Sequence, residues 1–110
     1  LELLSSENGP PRSVPFAARV WTLGTSLTWV FLSGETVVDY SHFCKARYGW
    51  QSTWVAGYCD ELTPYIPSER VLSEGGYEGT ESMSEYGYPA PFRPGIEKMI
   101  LDAIAQACPR

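Results

Sequence analysis

Histidine occurs once, as His42, and cysteine three times, as Cys44, Cys59 and Cys108, with no C-x-x-C pair among the 110 residues. A zinc site made from this chain's own thiolates is not suggested, and an odd cysteine count does not complete a disulfide framework. Three buried thiols are favoured, with a single Cys44–Cys59 bridge open in an oxidising compartment. Basic residues are also few: eight Lys and Arg against thirteen Asp and Glu give a net charge of −5. The lack of clustered cations to neutralise phosphates argues against nucleic-acid binding, and none is expected. No window reaches ~18 uninterrupted apolar residues, so no transmembrane segment is expected, and no positively charged start leads into an apolar run. A G-x-S-x-G elbow is absent, and "SEGGYEG" lacks the Lys and Ser/Thr pair of a phosphate loop.

What is present is a chain 44% hydrophobic, enough for one small domain with a modest core. Leu1 to Pro15 carries "SSENGPPRSVP", whose prolines and glycine read as a linker or extended arm. "FAARVWTL" (Phe16 to Leu23) and "LTWVFL" (Leu27 to Leu32), separated by Gly24-Thr25-Ser26, predict an antiparallel hairpin. From Thr36 to about Tyr48, Val37, Val38, Ser41, Cys44 and Tyr48 recur at helical intervals and predict an amphipathic helix. "STWVAGY" (Ser52 to Tyr58) then reads as a buried strand. The strand, helix, strand order predicts a parallel crossover. The fold class is therefore α/β, a partial mixed sheet of hairpin plus crossover.

Beyond it, "CDELTPYIP" reads as a loop, Pro67-Ser68 starts a short helix through "SERVLSE", and Gly75-Gly76 ends it. Tyr77 to Pro94 is rich in Gly, Pro and Tyr and reads as mostly irregular, a long loop of the kind that is functional or wrapped on other structure. Ile96, Met99, Ile100, Ala103, Ile104 and Ala107 mark one face of a C-terminal helix.

Glu35, in "SGETVVDY", stands just past the end of a predicted strand, where open α/β sheets collect ligand-binding residues. The plainer reading is a helix start, with Thr36 and Asp39 in a capping-box-like pattern and an acid near the positive end of the helix. On a helix, Glu35, Asp39 and His42 would share a side, but one histidine is a poor basis for a metal face, and a solvated His42 paired with Asp39 is favoured. Tyr65 either packs on Pro64 and Pro67 or faces a ligand. Tyr77, on a tight turn, is either an aromatic anchor of its loop or a hydrogen-bond donor.

Two segments carry a resemblance: "VWTLGTSLTWVFLSGETVVDY" (Val20 to Tyr40) and "WVAGYCDELTPYIPSERVLSEGGYEG" (Trp54 to Gly79). In the order "GE", "AGY", "YIP", "EGGYEG", followed by "PGIEKMILDAIAQ", the chain from about Arg12 to Gln106 resembles the later part of the catalytic domain of neutral/alkaline non-lysosomal ceramidases, especially shorter bacterial members. The resemblance implies a zinc-dependent amidase that cleaves the N-acyl bond of ceramide to fatty acid and sphingosine. It implies Glu35 and Tyr65 as zinc ligands and Tyr77 as the tyrosine facing the scissile carbonyl. The family's zinc histidines have no counterpart here, so residues 16–110 are expected to be the C-terminal portion of a larger layered catalytic domain, inactive alone. Expected partners are a ceramide-like lipid amide, the rest of that domain and an encounter with a membrane surface, in a secreted or periplasmic setting. The shorter relatives also leave other amides open as substrates.

The rival reading is a non-catalytic binding module, in which Trp21, Trp29, Trp50, Trp54 and the tyrosine-rich loop form an aromatic surface for a lipid, glycan or protein. A third is an inactive remnant whose exposed sheet edge pairs with another chain.

Overall fold

A computed structural model of the chain describes residues 16–59, 65–85 and 91–108. The hairpin forms as its β-rich runs predict: β1 (Ala18–Leu23) pairs antiparallel with β2 (Leu27–Leu32), from Ala18 opposite Leu32 to Leu23 opposite Leu27. Helix α1 (Val38–Tyr48) then returns the chain so that β4 (Thr53–Ala56) lies parallel to β2. The result is a mixed three-stranded sheet in the order β1-β2-β4. A two-residue strand, β3 (Glu35–Thr36), lies between β2 and α1 and belongs to a second, smaller ladder.

Strand β4 is shorter than "STWVAGY" predicts, and it is buried on one face only. It stops because Tyr58 adopts a left-handed φ of 57°, and Trp54 is 53% exposed. The pairing aligns whole rows of side chains across the sheet. Val20, Val30 and Val55 form one row and Thr22, Thr28 and Thr53 another, while Trp21, Trp29 and Trp54 make a row between them. Since successive residues point to opposite faces, the valines turn inward and the tryptophans outward.

The inner face packs on α1 and on α4 (Ile96–Ala107), burying Val30 and Leu32 with Tyr40, Cys44, Ile96, Ile100 and Ile104. Helix α4 buries every fourth residue, so Met99, expected on this face, stays 38% exposed. On α1 the expected stripe holds at Cys44, which is buried, and at Val37 and Tyr48, which pack against the core, but Val38 is 61% exposed and Tyr40, outside the stripe, is buried. Tyr40 turns inward, where its large ring gains from burial and its hydroxyl donates to the Pro67 carbonyl at 2.7 Å.

Strand β5 (Tyr65–Ile66) replaces part of the expected "CDELTPYIP" loop; Asp60 to Pro64 lie outside the described residues, as does the expected linker Leu1–Pro15. Helix α2 (Glu69–Glu74) starts as predicted, with Ser68 accepting a hydrogen bond from the Val71 amide at 3.3 Å, and ends at Gly75 and Gly76, both at φ 74°. The expected irregular loop contains a π-helical turn, Tyr77–Glu81, and a short helix α3 (Ser82–Glu85). This turn packs on α2 so closely that a Cβ at Gly79 would lie 2.5 Å from the Val71 carbonyl oxygen. Its glycine-rich composition therefore hid a packed element. Residues 86–90 lie outside the description.

Helices α2 and α4 are tied by exchanged carboxylates: the Glu69 amide donates to Glu97 at 3.2 Å, and the Gly95 amide donates to Glu69. All three cysteines are free, with Cys44 and Cys108 buried and Cys59 half-buried rather than fully buried. Among the described residues, no helix is long and apolar enough to cross a membrane.

Candidate functional site

Glu35 is placed by what happens at the end of β2. Ser33 closes the sheet edge, donating its amide to the Ala17 carbonyl at 3.1 Å and accepting the Ala17 amide on its hydroxyl at 2.9 Å. Gly34 follows at φ 69°, a left-handed conformation that glycine adopts without steric cost, and its carbonyl accepts the Tyr58 amide at 2.7 Å. The chain leaves the main sheet there and forms β3, which pairs in parallel with β5, Glu35 opposite Tyr65 and Thr36 opposite Ile66.

Thr36 therefore does not begin a helix, and the expected Thr36–Asp39 cap does not form. The N-cap is Val37, in extended conformation with no side-chain cap bond, because its neighbours are held by β5: the Val37 amide donates to the Ile66 carbonyl at 3.1 Å. Glu35 likewise is not on a helix, so the helical face of Glu35, Asp39 and His42 does not exist. His42 is exposed, with its ring 5.9 Å from Trp50.

The three residues singled out by the resemblance come together. Register partners on adjacent strands present their side chains to one face of the ladder, so Glu35 and Tyr65 are on the same side. The Tyr65 ring meets that of Tyr77 edge to face, with centroids 5.5 Å apart. Glu35 and Tyr65 are half-buried, and Tyr77 is 40% exposed at the start of the π-helical turn. Arg70 is ion-paired with Asp39 and Glu74, and Lys98 with Asp102; Glu35 takes part in none of these pairs.

Asp39 has a partner other than the expected His42. Its carboxylate accepts the Ser68 hydroxyl at 2.6 Å and two bonds from Arg70, Nε at 3.1 Å and Nη2 at 2.9 Å. Arg70 also reaches Glu74 at 3.0 Å. The hydrogen bond from Arg70 first, and that from Ser68 second, hold the Asp39 carboxyl below the usual carboxylate range, although burial opposes them. Tyr40 is the complementary case: burial pushes its phenol far up, so it remains a neutral donor to Pro67. Sequence reading missed Tyr40 and Arg70 altogether, and it saw Ser68 only as a cap. The one available signal was the N-cap serine, and nothing local points from it to an aspartate 29 positions earlier.

A carboxylate and a phenol side by side suit two positions of a four-coordinate zinc shell, which takes oxygen as well as nitrogen donors. Among the described residues, no group of three His, Cys, Asp or Glu converges to hold a metal, so further donors would have to come from elsewhere. Comparison with protein-family models, with curated proteins and with solved structures gives no match to this chain.

Proposed function

We propose that this chain carries the carboxylate and tyrosine part of a zinc-dependent amidohydrolase site of the neutral ceramidase type, which hydrolyses the N-acyl bond of ceramide or a related amide to fatty acid and amine. The observation that supports this reading is the pairing of Glu35 with Tyr65, with the Tyr77 ring against Tyr65. Residues far apart in sequence, matched by motif order alone, fall on one small ladder.

In this reading Glu35 and Tyr65 hold the zinc, with histidines supplied from outside the chain. Zinc, when bound, supplies Lewis-acid polarisation of the amide carbonyl. Tyr77 donates its phenol hydrogen to the carbonyl oxygen as negative charge develops there, a role worth about 10²–10³ in rate where one such donor is removed. Its edge-to-face contact with Tyr65 keeps the donor beside the metal ligand. The test uses the longest natural polypeptide that contains this chain, comparing wild type, Glu35→Ala and Tyr77→Phe for bound zinc and N-acyl hydrolysis. Glu35→Ala is expected to lose zinc, and Tyr77→Phe to keep zinc while its kcat falls about 10²-fold. Unchanged zinc affinity in Glu35→Ala would remove this reading.

A second reading, a non-catalytic binding module, draws on the outward tryptophan row. Trp21 packs edge-on against Phe31 at 5.1 Å, Phe31 stacks on Trp29 at 4.9 Å, and Trp29 meets Trp54 at 5.3 Å. Trp50, counted with them from the sequence, lies apart against His42. Binding lost in Trp21→Ala and Trp54→Ala but kept in Glu35→Ala, in a polypeptide that holds no zinc, would favour the module.

A further inference from the structure

The ladder that pairs Glu35 with Tyr65 is only two residues long on each side, too short to fix its own register. Register matters here more than usual. A slip by one residue would send the Tyr65 phenol to the face opposite Glu35. Three contacts following the ladder oppose such a slip. The Val37 amide donates to the Ile66 carbonyl, the Tyr40 hydroxyl donates to the Pro67 carbonyl, and the Asp39 carboxylate takes Ser68 and Arg70 together.

Only the Asp39 contact joins side chain to side chain through charge. Its side chain is 12% exposed, and the two Arg70 bonds use both carboxylate oxygens, which fixes direction as well as distance. Ser68 is itself fixed as the N-cap of α2, so the Asp39–Ser68 bond is compatible with one register of β3 on β5. Tyr77 follows, since its turn packs on α2 through Gly79 and Val71.

We infer that Asp39 is a positioning residue for the metal site, acting through Ser68 and Arg70 to hold Glu35 opposite Tyr65. The inference rests on the zinc reading of Glu35 and Tyr65. Asp39 touches neither metal nor substrate in it.

The test again uses the longest natural polypeptide, with Asp39→Ala, Asp39→Asn, Glu35→Ala and a core control on α4, Ile104→Val, which lowers stability and leaves Asp39 and the ladder residues unsubstituted. Zinc affinity is read by competition with a chelator of known affinity, and hydrogen exchange is read at the Val37 amide. Asp39→Ala is expected to weaken zinc binding about tenfold, the low end for residues that orient ligands, and to speed Val37 exchange by about as much. Asp39→Asn should fall between, because it keeps an acceptor for Ser68 and loses the charge that holds Arg70. Ile104→Val should leave zinc affinity within about twofold of wild type.

If Asp39→Ala binds zinc no worse than Ile104→Val while Glu35→Ala releases it, the positioning role is overturned and the zinc reading survives. If Glu35→Ala keeps its zinc, the zinc reading fails and takes the positioning role with it. Should Asp39→Ala not fold, Asp39→Asn decides the same comparison.

Discussion

Tyr40→Phe deletes one oxygen from a side chain that is fully buried and that joins α1 to the segment leading out of β5. The ring remains, so the apolar contacts with the core remain, and the change isolates a hydrogen bond of 2.7 Å. Its acceptor, the Pro67 carbonyl, belongs to a residue that is itself buried, so water does not readily replace the phenol. The net value of such a bond is about 0.5–1.5 kcal/mol, and a buried acceptor left unpaired brings the loss to about 1–3 kcal/mol. Taking about 1.5 kcal/mol and a urea slope near 1.5 kcal/mol per M, the denaturation midpoint should fall by about 1 M with the slope unchanged. The assay is urea unfolding followed by fluorescence and circular dichroism together, since coincident curves license the free-energy difference. A midpoint within about 0.2 M of wild type would refute the reasoning, because the corresponding loss lies below the range for a buried unpaired carbonyl.

Three further outcomes follow from the same geometry. Because Arg70 and Ser68 hold the Asp39 pKa below its unfolded value, Asp39 contributes stability that is present above the ordinary carboxylate pKa and is lost as pH falls through the lowered folded value; urea midpoints measured from about pH 6 to about pH 2 should drop more steeply for wild type than for Asp39→Asn. Gly79→Ala places a Cβ 2.5 Å from the Val71 carbonyl oxygen, so the π-helical turn must lift off α2 at a cost of about 1–3 kcal/mol, read as a lower Tm with altered near-ultraviolet dichroism from Tyr65 and Tyr77. Thiol labelling of the native chain should modify half-buried Cys59 first and spare Cys44, which is buried with its pKa pushed up to about 11; mass spectrometry of partially labelled protein reads the order.

The parts of the fold that were legible in the sequence are those with a repeating pattern. Two β-rich runs, "FAARVWTL" and "LTWVFL", with a turn between them predict the hairpin, and the isoleucines spaced by four predict α4. Periodicity was misleading where two apolar residues adjoin. Val37 is the extended N-cap and packs against the core, whereas Val38, the first helical residue, is exposed. Nothing periodic announces β3 and β5, because a two-residue strand has no alternation to detect. The same limit hid the Asp39–Ser68–Arg70 contact, which depends on the approach of α1 and α2 and on no local spacing. The side-by-side placement of Glu35 and Tyr65 comes from the β3–β5 register, and that of Tyr77 from its ring contact with Tyr65, neither of which any local spacing announces.

The two functional readings occupy different surfaces, and this makes them separable. The tryptophan row lies on the outer face of the three-stranded sheet, whereas Glu35 and Tyr65 stand on the second ladder, with the Tyr77 ring against Tyr65, beyond the point where Gly34 turns the chain away from that sheet. The two groups have no residue in common. Substitutions in one should therefore combine additively with substitutions in the other. A loss of zinc in Glu35→Ala is then informative about the ladder alone, and a loss of binding in Trp54→Ala about the sheet face alone. An enzyme that also uses its aromatic face would show both losses independently, and a module without chemistry only the second.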